Sequence, residues 1–103
     1  MAITANPVRF NSVVVGEGTS TITNITAATV VKPTGGRVAK ISVIVAGSAP
    51  GAVHNCATTG AAAAANQVAV VADTAGVYDV GMPCPAGIVV VPGTGQTLAV
   101  SFA

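Results

Sequence analysis

The chain has 103 residues, 51% of them hydrophobic and only 7% charged, with four Lys or Arg against three Asp or Glu and a net charge of +1. That length leaves room for one domain with one core, because a chain this short buries only about two-thirds of its unfolded surface. The sparse basic residues and three aromatics, Phe10, Tyr78 and Phe102, exclude a phosphate-binding or base-stacking surface, and apolar runs of strand length exclude a membrane-spanning helix.

The first residues, MAITANPVRF, lack a basic start followed by a long apolar stretch and predict no secretory signal. Residues 1–11 read as an amino-terminal arm, with residues 12–103 as a single β domain. Ser12-Val13-Val14-Val15 predicts a short strand, ended by Gly16-Glu17-Gly18. Thr19 to Ala28 is rich in Thr and Ile, whose branched Cβ favours extended backbone. Thr29-Val30-Val31-Lys32 leads through Pro33-Thr34-Gly35-Gly36, a composition suited to chain reversal, into the longest predicted strand, Arg37 to Ala46. There Ala39, Ile41, Val43 and Val45 share the inner face by alternation, opposite Val38, Lys40, Ser42 and Ile44.

Gly47-Ser48-Ala49-Pro50-Gly51 is a further reversal, after which Ala52 to Cys56 pairs back. The five alanines Ala61 to Ala65 are too few to repay helix nucleation and allow at most one turn. Gln67 to Ala72 and Val77 to Val80 read as strands about the turn Asp73-Thr74-Ala75-Gly76, and GMPCPA (residues 81–86) as a proline-pinned loop. Finally Ile88 to Val91 and Gln96 to Ala103 read as a hairpin closed by Pro92-Gly93-Thr94-Gly95, with Leu98, Val100 and Phe102 facing inward. About seven or eight short strands with regular turn signals predict an all-β fold, a small antiparallel β-sandwich or jelly roll.

Catalytic patterns are missing, and no enzyme is expected. Ser48 in AGSAPG lacks the flanking glycines of a nucleophile elbow, Gly93-Thr94-Gly95 has no following helix, and Glu17, Asp73 and Asp79 form no spaced pair. His54 and Cys56, two apart on one strand, lack a second ligand pair except Cys84, so a hydrogen-bonded structural histidine is preferred to a metal ligand. Cys56 and Cys84 are expected as free thiols. No cofactor or small-molecule substrate is expected. Lys32, Arg37 and Lys40 cluster at the Pro33 to Gly36 reversal and, with Arg9, are the candidate residues for docking on an acidic partner surface. A half-apolar chain with so few charges must turn some Val and Ala outward, which points to contact with other copies or another protein.

GRVAKISVIVAGS, GAVHNCATTGAAAAANQVAVV, GVYDVG and GIVVVPGTGQTLAVSFA together resemble small virion-structure proteins of tailed bacteriophages and prophages, over the stretch from Thr29 to the end. The resemblance implies a capsid decoration or cement protein assembled in the bacterial cytoplasm onto the outer head surface. Its partners would be the major capsid protein and other copies of itself, a trimer before a dimer. A tail or fibre component, or a carbohydrate-binding sandwich using Tyr78, is the alternative.

Overall fold

The computed structural model describes residues 18–103, and within them the β-branched runs form eight strands. They are β1 (Ser20–Ile25), β2 (Thr29–Lys32), β3 (Gly36–Val45), β4 (Gly51–Asn55), β5 (Gln67–Val71), β6 (Gly76–Cys84), β7 (Ile88–Val91) and β8 (Thr97–Phe102). Sheet I has the order β1-β8-β3-β6 and sheet II the order β2-β7-β4-β5. β1 pairs with β8, β2 with β7, β3 with β6 and β4 with β5, all antiparallel. Each strand thus pairs with its counterpart counted from the other end, as in a double ribbon folded into two facing sheets, and this is the jelly roll. The expected arm 1–11, the strand at Ser12 to Val15 and Arg9 lie outside the described residues.

The core lies between the sheets. Val38, Ile41, Val43, Leu98 and Val100 of sheet I meet Val53, Val71, Ile88 and Val90 of sheet II, all buried. Each fully buried Val, Ile or Leu stabilises by about 1.5–3 kcal/mol, and the inward alternation expected for β8 is present, with Phe102 packed at the margin.

Four expectations are corrected. The terminal segment is not a hairpin: β7 belongs to sheet II and β8 to sheet I, so Pro92 to Gln96 is a corner between sheets. Both sides of β7 are already taken, by β2 and β4. β4 likewise does not pair back on β3 but crosses to sheet II beside β5 and β7. Along β3, the inner face switches. Val38 is fully buried in the core because the register against both β6 and β8 shifts between Val38 and Lys40, and Val45 is half exposed beyond a second shift against β8 between Val43 and Val45. On the β6 side the extra residue falls at Val80-Gly81, where Gly81 takes φ 62°, a backbone that glycine adopts without strain.

β6 also runs through the predicted loop as far as Cys84. Pro83 is tolerated because β6 is an edge strand, where a missing N–H breaks no ladder on the open side. The alanine run forms two single 3-10 turns, Thr59–Ala61 and Ala64–Asn66, inside the β4–β5 connection. No helix among the described residues is long and apolar enough to cross a membrane.

Candidate functional site

Val53 faces the core, so the next residue, His54, falls on the outer side of sheet II, opposite Val89 and Gln67. It is nevertheless buried, at 7% exposure, because the connection between β4 and β5 folds over it. His54 Nδ1 donates its hydrogen to the Ala63 carbonyl at 3.0 Å and Asn66 Oδ1 at 2.9 Å, both acceptors. Asn66 also accepts the Ala63 N–H at 3.0 Å and donates to the Ala61 carbonyl at 2.8 Å. The alanine loop is therefore held by a clasp of one histidine and one asparagine, and His54 works as its anchor. Cys56 lies just past β4, its thiol directed to the Thr58 carbonyl at 3.4 Å. Among the described residues no group of three His, Cys, Asp or Glu stands close enough to hold a metal.

Both cysteines are free and buried. Burial first, and then the proximity of Cys56, push the Cys84 thiol above its ordinary value of 9.0. Its neutral form is thus favoured by folding. That contribution is complete below the unfolded value and fades as the pH rises above it. Iodoacetamide at pH 8 should modify Cys84 at least tenfold more slowly in the folded protein than in urea. The urea midpoint should fall between pH 8 and 10 by more in the parent than in Cys84→Ala, and equal falls would remove the assignment.

The basic residues separate. Arg37 and Lys40 both sit on β3, and the bulge turns both outward. Lys40 Nζ stands 3.9 Å from Asp79 Oδ1 on the neighbouring strand, in a pair exposed enough to contribute little. Lys32 ends β2 in the other sheet, its stem alongside Gly36. Tyr78 is half-buried against the core, with its hydroxyl donating to the Thr74 carbonyl at 2.7 Å. That leaves less of its ring free than a sugar-stacking platform would use.

The structure adds two features that residue patterns did not single out. Gln96, 2% exposed, accepts the Gly93 N–H at 2.7 Å and donates to the Ala72 carbonyl at 2.7 Å. It thereby ties the β7–β8 corner to the end of β5. The second is the rim at β5. Val70 is 66% exposed there, and shallow depressions lie on both sides of the strand. One, of about 340 Å³, opens between β5 and β6 over Ile41, Tyr78, Val80 and Met82. Another, of about 270 Å³, lies on the outer face against Pro50, Ala52, Val91 and Pro92. Among the described residues, Asp79 is the only charged one bordering either. Separately, Val77 on β6 and Ile44 on β3 are 68% and 59% exposed on the outer face of sheet I. No protein-family model, no curated protein and no solved structure matches the chain.

Proposed function

We propose that this chain is a virion structural protein, a capsid decoration or cement protein that seats on the outer surface of a bacteriophage head and reinforces it through contacts with the major capsid protein and with other copies of itself. The observation that carries the reading is the apolar rim at β5, where Val70 is two-thirds exposed between two depressions lined mostly by apolar residues. Surfaces of this kind mark contact sites, and the jelly roll is a scaffold that viral shells use. The chain acts without a catalytic group. Each contact removes apolar area from water at about 25 cal/mol per Å², and repetition over many seams turns a modest contact into a reinforced shell.

Purified protein added to capsids that lack it should co-sediment with them and raise the temperature at which they release their contents. No co-sedimentation, or co-sedimentation without added heat resistance, would overturn cementing.

A further inference from the structure

Edge strands leave backbone groups open to another chain, and folded proteins close them with local devices. Three of the four edges here carry such a device. β1 has a register shift between Ile22 and Ile25, with Asn24 at φ 56°. β2 is four residues long and ends in Lys32. β6 has its Gly81 bulge and Pro83. β5 has the sequence Gln-Val-Ala-Val-Val, without charge or proline, and its one register shift lies at its start. Its depressions flank both faces. An extended segment hydrogen-bonded to β5 would drop alternate side chains into the interior-side groove and onto the outer face, the geometry of strand addition.

The occupant follows from composition, reach and charge. Outside the described residues, Ser12-Val13-Val14-Val15 is an uncharged β-branched run. The chain that follows it is fixed at Gly18, where a Cβ would lie 3.0 Å from the Phe102 backbone nitrogen and 3.3 Å from Ala39 Cβ. Gly18 therefore lies against β8 and β3 of sheet I. From there the open edge of β5 is two strand spacings and one sheet separation away, roughly 20 Å around the surface. Val15 and Ser12, three and six residues from Gly18, reach roughly 10 and 20 Å at full extension. At most the end of the run could touch its own β5, so pairing along its whole length takes a neighbour's.

Charge sets the direction. Antiparallel addition of Ser12 to Val15 along Val71 to Val68 carries Arg9 towards Asp73, just past β5. Parallel addition would instead bring Glu17 towards Asp73. We propose that Ser12 to Val15 of one copy adds as an antiparallel fifth strand to the β5 edge of a neighbouring copy, with Arg9 of the incoming chain beside Asp73 of the acceptor. This rests on the assembly reading above and names the surface that performs it.

The test uses the full chain in solution, without capsids, followed by sedimentation equilibrium. The parent should associate beyond its 9.8 kDa single-chain mass. Val70→Lys, at an exposed position, and Val14→Asp should each weaken association at least tenfold while leaving the circular dichroism of the fold unchanged. Arg9→Asp should weaken it, and Asp73→Arg in the same chain should restore it. A parent that stays single at millimolar concentration overturns the proposal, as does association indifferent to Val70→Lys. Association lost in Val70→Lys but untouched in Val14→Asp also overturns it, and gives β5 to a second copy's own edge instead. A chain that binds capsids yet fails these tests keeps the virion role and loses strand addition. A chain that passes them without binding capsids has the opposite outcome.

Discussion

Gly93→Ala should lower the melting temperature by roughly 12–24 °C, the range for a loss of about 3 kcal/mol in a domain of this size. A Cβ at Gly93 would run into the Ala49 carbonyl oxygen and stand 2.7 Å from the Pro50 carbonyl oxygen. These are backbone atoms with no rotamer to yield. The collision also sits at a junction of three corners. The Ser48 N–H bonds the Thr94 carbonyl at 2.9 Å, joining the β3–β4 corner to the β7–β8 corner, and Gln96 ties both to the end of β5. Relief at one corner therefore requires movement at the other two. Differential scanning calorimetry checks this, and a shift under about 3 °C would mean that the corners slide apart freely.

Gln96→Leu should cost about 2–4 kcal/mol, read as a lower urea midpoint at unchanged slope. Leucine fills nearly the same volume, so the change isolates the two polar ends of the side chain. The Gly93 N–H and the Ala72 carbonyl would each lose a partner at 2.7 Å, and a buried backbone group left unpaired costs about 1–3 kcal/mol. Gly51 adds to the constraint, since a Cβ there would stand 2.9 Å from Gln96 Oε1. A midpoint equal to the parent's would show that water replaces both bonds and that the corner does not depend on this residue.

The strands were legible because β-branched runs and turn residues act locally, through χ1 and φ. Pairing was not, because Pro92-Gly93-Thr94-Gly95 has the same chemistry whether the chain returns beside itself or crosses to a facing sheet. β8 shows what alternation alone can reach: Leu98 and Val100 are fully buried as the pattern required. β3 shows where it fails, since the bulge buries Val38 in the core while Ala39 is buried too, against Gly18. Gln96 gave no signal, as its partners are a backbone amide and a backbone carbonyl, which every residue has, and Asn66 gave none because its one side-chain partner, His54, lies 12 residues away on β4. The low charge announced an exposed apolar surface, yet QVAVV and IVVV read alike, and only the strand order reveals that the first lies at a rim and the second at a centre.

The nesting of the strands, first with eighth and second with seventh, bears on how the molecule is made. Of the neighbours in sequence only β4 and β5 share a sheet, so that hairpin is the one piece able to close early, at small loop-closure cost. β8 lies between β1 and β3, and sheet I has no middle until residues 97–102 have left the ribosome. β3 and β2 gain their partners β6 and β7 before that point, whereas β1 has no strand to pair with until β8 is made. Pairing consequently spreads outward from the hairpin, through β3 with β6 and β2 with β7, and the β1 edge of sheet I is the last to close.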